Sequence, residues 1–149
     1  MPLREVSEAL RLLHSALVRR TQADYERTHG RIAGAGQLLN LLMKDPFFAW
    51  MHPLSELMAD VDHFAKNSAV ESGVAAAIRK EVEQVLAAKE PGPFADRYRD
   101  ELQDASVAGA HSQVKRLLEA LPDVPATTAA EELHTAHHWN ELRRLRLEK

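Results

Sequence analysis

The sequence predicts an all-α fold, a single-domain bundle of four to five helices over residues 1–149. Apolar residues recur every three or four positions in several long segments, which is the period of one helix face. Proline and glycine cluster between most of these segments, where they end helices. No segment alternates apolar and polar residues as a half-buried strand does. The length and a hydrophobic content of 45% are typical of one globular domain.

Two long helices and a short one are predicted in the first half of the chain. The first covers residues 3–28, and a glycine-rich loop separates it from a short helix at residues 37–44. Asp45 is expected to cap a longer helix that begins at Pro46. Pro53 predicts a kink in that helix, because its ring opposes the carbonyl group one turn earlier. The apolar stripe of this longer helix contains Phe47, Met51, Leu54, Met58, Val61 and Ala65.

The second half of the chain predicts up to three more helices. A capping box at Ser68–Glu71 begins one of them, and Pro91–Pro93 ends it. The next covers residues 94–121, where small residues at 105–110 predict close packing or a break. A second capping box at Thr128–Glu131 begins the last helix. Its end is basic, which suits the helix dipole, through Arg143, Arg144 and Arg146.

Composition excludes several classes of function. The net charge is −3 and the basic residues are spread along the chain, so nucleic acid is not an expected partner. No apolar run approaches the roughly 20 residues that a transmembrane helix needs. The acidic N-terminal segment does not resemble a signal peptide, and we expect a cytoplasmic protein. Because the chain has no cysteine, its chemistry would rely on histidines, carboxylates or hydroxyls.

Histidines form the most distinctive cluster of the sequence. Of the eight histidines, three lie close together at His134, His137 and His138. His134 and His138 are four residues apart, which places two imidazoles on one helix face at a spacing that allows both to bind one metal ion. A third ligand would have to come from another helix. His52, which lies in the other strongly apolar helix, is the candidate.

One isolated histidine followed by a His-x-x-x-His pair near the C-terminus resembles the pattern of the DinB-like metal-binding bundles. In that family three histidines bind a divalent metal between helices, and some members are thiol-dependent enzymes. The resemblance implies that His52, His134 and His138 bind nickel, zinc, iron or manganese. It also implies a bundle fold, in agreement with the periodicity.

Periodicity leaves a second interpretation of these histidines open. At 100° per residue, His52 lies about 160° from Leu54, on the polar side of its helix. A doubled histidine beside Trp139 is also typical of a solvated helix face or a partner surface. Asp60 and His63 are likewise expected on a solvated face rather than in an acid/base pair.

The sequence therefore favours a non-catalytic helical bundle that acts through protein contacts, with a protein partner or by self-association as a homo-oligomer. The alternative is the DinB-like metal-binding bundle with its three-histidine site. A third hypothesis is a small-ligand binder that uses the bulky residues around Trp50, although such residues at helical spacing are more often core.

Overall fold

The computed structural model describes residues 2–66 and 72–121, together with Glu141, Arg143 and Arg144. These residues form an all-α bundle, as the sequence predicts, and no strand occurs among them. The helices, in chain order, are α1 (Pro2–His29), α2 (Ala35–Lys44), α3 (His52–Ala65), α4 (Ser72–Ala87), α5 (Pro93–Glu101) and α6 (Ala105–Leu118). A short 3-10 turn, Ala49–Met51, precedes α3.

Helix α1 is the central element of the bundle. Its apolar stripe is buried as its spacing predicts, through Leu3, Val6, Leu10, Leu13 and Leu17. It packs most extensively against α6 and α3, while α4 contacts both α3 and α6. Four helices thus surround one hydrophobic core, and the shorter α2 and α5 pack against the 3-10 turn.

The predicted kink at Pro53 is absent, because the helix begins later than the sequence suggests. The Asp45 carboxylate accepts a hydrogen bond from the backbone N–H of Phe47 at 2.8 Å, which closes a turn instead of starting an α-helix. The chain then passes through the 3-10 turn, and α3 begins at His52. Pro53 therefore lies in the first turn of α3, where its missing N–H leaves no helical hydrogen bond unmade.

The predicted helix over residues 94–121 is two helices, which raises the number of α-helices in the described ranges to six. Asp104 causes the break, since its carboxylate accepts hydrogen bonds from the backbone N–H groups of Ser106 and Val107 and caps α6. The break precedes the small-residue segment in which it was expected, and Gly109 lies inside α6.

Two predicted elements lie outside the described residues: the capping boxes at Ser68–Glu71 and at Thr128–Glu131. In the part of the chain that the structure describes, no helix is both long and apolar enough to cross a membrane.

Candidate functional site

His52 is the one predicted metal ligand within the described residues, and it connects two helices. It is half-buried at the start of α3, and its Nε2 lies 3.0 Å from the backbone carbonyl oxygen of Leu42 in α2. Because a carbonyl oxygen only accepts hydrogen bonds, Nε2 must carry a proton and donate it. Only Nδ1 of His52 would then be able to bind a metal ion.

The other two predicted ligands, His134 and His138, lie outside the described residues. The three-histidine metal site therefore stays a prediction. Within the described ranges, no group of three histidine, aspartate or glutamate side chains is arranged to hold a metal ion.

Helix α2 carries exposed apolar residues on one face. Leu39 is 57% exposed and Met43 is 64% exposed, whereas Leu41 on the other side of the helix is buried. Gly36 and Asn40 are also exposed and share the face of Leu39 and Met43. We call these four residues the α2 stripe. It contains no charged residue, and a Cβ atom placed on Gly36 would meet no atom within 4 Å.

A buried carboxylate on α3 accepts a hydrogen bond from the Arg143 side chain. Asp60, expected on a solvated face, is only 1% exposed. Arg143 Nε donates a hydrogen bond to Asp60 Oδ2 at 2.6 Å, and another guanidinium nitrogen of Arg143 donates to Glu81 on α4. Burial by itself lowers the pKa of Arg143, but the hydrogen bond that Arg143 donates to Asp60 and the negative charges of Glu81 and Asp60 raise it above the usual value. The Arg143 side chain thus bridges α3 and α4.

A cleft of about 380 Å³ opens beside Glu81. The first turn of α3, the second half of α4 and the loop that leads into α5 form its walls. Pro53, Val85 and Phe94 line it with apolar surface, and Glu90 adds a second carboxylate. Its volume falls in the range of small-molecule sites.

A network of charged side chains joins α5 to α1. Glu101 is 4% exposed, and its two carboxylate oxygens accept hydrogen bonds from Arg20 and Arg97. The hydrogen bond to Glu101 raises the pKa of Arg20 above its usual value. Arg97 also donates to Asp24 at 2.8 Å. Its guanidinium lies 5.4 Å from the centre of the Trp50 ring, in cation–π contact.

Trp50, the centre of the predicted small-ligand region, is half-buried and packs on Phe94 with 6.1 Å between the ring centroids. Its indole N–H is buried and makes no hydrogen bond within the described residues. With Arg97 on one ring and Phe94 stacked against it, Trp50 forms part of the packing between the 3-10 turn and α5.

A tyrosine–histidine pair connects α5 to α6. Tyr98 is fully buried, and its hydroxyl lies 2.7 Å from Nδ1 of His111. Burial raises the pKa of Tyr98 and lowers that of His111, which the charge of Lys115 lowers further. Both rings are therefore neutral at pH 7, and the Tyr98 hydroxyl and Nδ1 of His111 share one hydrogen bond.

A serine–histidine pair lies between α1 and α3. His14 Nε2 and the hydroxyl of Ser55 are 2.8 Å apart, and burial lowers the pKa of His14. A nucleophilic serine also needs nearby N–H donors for the oxyanion. Ser55 lies within a regular helix, α3, and not on the sharp strand-to-helix turn that presents a nucleophilic serine beside such donors. The pair is best described as a hydrogen bond that joins the two helices.

Sequence reasoning missed the buried carboxylates Asp60 and Glu101, although helical spacing could have found both. Asp60 lies three residues after Leu57 and four before Phe64, beside the buried face of α3. Glu101 lies three residues after Tyr98, on the buried face of α5. A charged residue at such a position predicts a partner of opposite charge.

Comparison of the chain with protein-family models, curated proteins and solved structures finds no match.

Proposed function

We propose that this protein is a non-catalytic helical bundle that acts through protein contacts, and that the α2 stripe binds a second copy of the chain. The observation that carries the proposal is the exposure of Leu39 and Met43 on a helix that contributes little to the core. In the described ranges three large hydrophobic side chains are exposed, and two of them belong to this stripe. Exposed apolar residues that share one face are typical of interaction sites.

The spacing of the stripe suits helix packing. Gly36, Leu39, Asn40 and Met43 follow one another by three, one and three residues, which is the pattern of a seam between two helices. Each large apolar side chain that becomes fully buried contributes about 1.5–3 kcal/mol relative to its exposed state. A second helix laid along the stripe would cover both Leu39 and Met43.

A second copy of the chain can pack on this surface because the stripe is complementary to itself. If two α2 helices pack antiparallel about a twofold axis between Leu39 and Asn40, Gly36 of each copy faces Met43 of the other. The space around Gly36 then receives the methionine side chain. The stripe has no charge to repel its own copy, and antiparallel helix dipoles attract each other.

The size of α2 indicates a weak association. A helix of ten residues is about 15 Å long. It presents less than the roughly 800 Å² per partner that stable protein interfaces bury. The proposal is therefore a concentration-dependent dimer rather than a permanent one.

Sedimentation velocity tests this proposal on the full-length chain. Between about 10 μM and about 1 mM, a range suited to weak association, the wild-type protein is expected to shift from monomer to dimer. Leu39→Glu and Met43→Glu should each keep it monomeric, because a charge in the seam would be buried without a partner.

Leu12→Glu is the matched control, since Leu12 is 65% exposed on α1, outside the α2 stripe. This variant should associate like the wild type. A wild-type protein that stays monomeric throughout would contradict the proposal and leave the stripe to a different partner. Equal loss of association in Leu12→Glu would show that the contact lies elsewhere.

A further inference from the structure

Met43 places an oxidisable sulfur at the surface of a chain that has no cysteine. Met43 is 64% exposed, whereas Met51 is 1% exposed and Met58 is partly buried against the core. A peroxide must contact the sulfur in order to oxidise it, so exposure decides which methionine reacts. In the described ranges, Met43 is therefore the methionine that a peroxide in solution reaches most easily.

We propose that Met43 is a site of oxidation by peroxides, and that its sulfoxide weakens the contact between two copies of the chain, a regulation that rests on the proposed self-association of the α2 stripe. The sulfur attacks one oxygen of hydrogen peroxide, so that an S–O bond forms and the O–O bond breaks. The sulfur loses two electrons, and the departing oxygen takes the proton of the transferred one and leaves as water. Sulfoxide reductases restore the thioether with two electrons from a thiol reductant.

The position of Met43 on α2 connects its oxidation to the contact. Leu39 and Met43 are the two large apolar side chains of the α2 stripe, and they lie one helical turn apart. A thioether is flexible and apolar, which suits it to adaptable contact surfaces. A sulfoxide is polar, and its oxygen accepts hydrogen bonds from water that it would lose on burial. Oxidation thus removes one of the two apolar groups on which the contact depends.

The antiparallel arrangement of two α2 helices doubles this effect. Met43 of each copy faces Gly36 of the other, so a twofold dimer contains the same contact twice. Gly36 has no side chain that could donate a hydrogen bond to the sulfoxide oxygen. We expect oxidation of both copies to raise the Kd of the dimer at least about tenfold.

Peptide mass spectrometry of the full-length protein in excess hydrogen peroxide tests the site itself. In the native protein Met43 should be oxidised at least about tenfold faster than Met51, and in denaturing urea the two rates should become equal. At about 1 mM protein Met43 should react more slowly than at about 10 μM, because the dimer covers its sulfur. Oxidation of native Met51 as fast as Met43 would overturn the proposal.

Sedimentation velocity of the oxidised protein, after the peroxide has been removed, tests the effect on association. Oxidised wild type should need at least about tenfold more protein to dimerise than the untreated sample. Met43→Gln, which places a polar side chain at the same position, should reproduce this loss without peroxide. Met43→Leu is the matched control, because it keeps an apolar side chain of similar volume and removes the sulfur. It should dimerise like the wild type both before and after peroxide treatment.

The outcomes distinguish this proposal from the self-association on which it rests. An untreated wild type that stays monomeric contradicts the self-association and its regulation together. An untreated wild type that dimerises, beside an oxidised form that dimerises equally well, overturns only the role of Met43 oxidation. Peroxide-treated Met43→Leu that loses association as the wild type does would place the sensitive residue elsewhere, which also overturns it.

Discussion

Helices α2 and α5 are of similar length, but the more apolar of the two, α2, is the less buried. Of the nine residues of α5, five are charged, yet Phe94, Ala95, Tyr98 and Glu101 are all buried. The ten residues of α2 include four leucines and a methionine, yet only Leu41 is buried. The more polar helix is thus the more deeply integrated one.

The difference shows that the apolar content of a short helix does not decide how deeply the helix is buried, and that hydrogen bonds and ion pairs add to the apolar contacts that hold α5. Glu101 is bound by arginines from α1 and from its own helix, and Tyr98 by His111 of α6. Helix α2 is held by the buried Leu41, by the half-buried Leu38 and Leu42, and by the hydrogen bond from His52. Its remaining apolar surface is available to a partner.

The largest expected effect is that of Tyr98→Ala in α5. Removing a fully buried ring and its hydrogen bond should lower the free energy of unfolding by about 3–5 kcal/mol. Urea denaturation followed by circular dichroism measures it. Tyr98→Phe, which removes only the hydroxyl, should cost about 1 kcal/mol. A loss below that value for the alanine variant would mean that α5 is not anchored through this residue.

An intermediate effect is expected for Glu101→Gln, which keeps the shape of the side chain and removes its charge. The arginines that flank it then lose a charged acceptor, at a cost of about 1–3 kcal/mol measured by the same denaturation. The neighbouring Asp100 is exposed, and Asp100→Asn should leave stability unchanged. Similar results for both variants would show that the charge network does not hold α5.

The smallest effect is expected in α2. Leu39→Ala should change the free energy of unfolding by less than about 0.5 kcal/mol in dilute, monomeric protein, because Leu39 is mostly exposed. Leu41→Ala in the same helix should cost about 2 kcal/mol, since Leu41 is buried. If thermal denaturation finds equal losses, the contrast between the two faces of α2 is wrong.

The sequence predicts most of the fold because helix periodicity is a local property. The predicted limits of α1, residues 3–28, agree with Pro2–His29 within one residue at each end. The errors occur where one side chain decides the backbone path. Asp45 bonds the N–H of Phe47 and delays α3, and Asp104 caps α6 and divides a predicted helix. The spacing of apolar residues contains no information about such short-range hydrogen bonds.

The candidate sites were less predictable, because they depend on residues far apart in the chain. Asp60 and Arg143 are 83 residues apart, and Arg20 and Glu101 are 81 residues apart. Periodicity places each of them on a face but cannot choose its partner on another helix. The sequence does not predict the exposure of Leu39 either, because apolar residues at this helical spacing are equally typical of a buried helix face.

The hydrogen bond from His52 to Leu42 has a consequence for local opening of the chain. Helix α2 is attached to the bundle through few contacts, and Gly30 (φ +86°) and Gly34 (φ +144°) lie in the segment that joins it to α1. Elements of this kind open without the rest of the molecule, and their amides exchange with solvent through that local event. The amide hydrogens of α2 should therefore exchange much faster than those of α1. We expect the hydrogen bond from His52 to determine how much free energy the local opening of α2 costs.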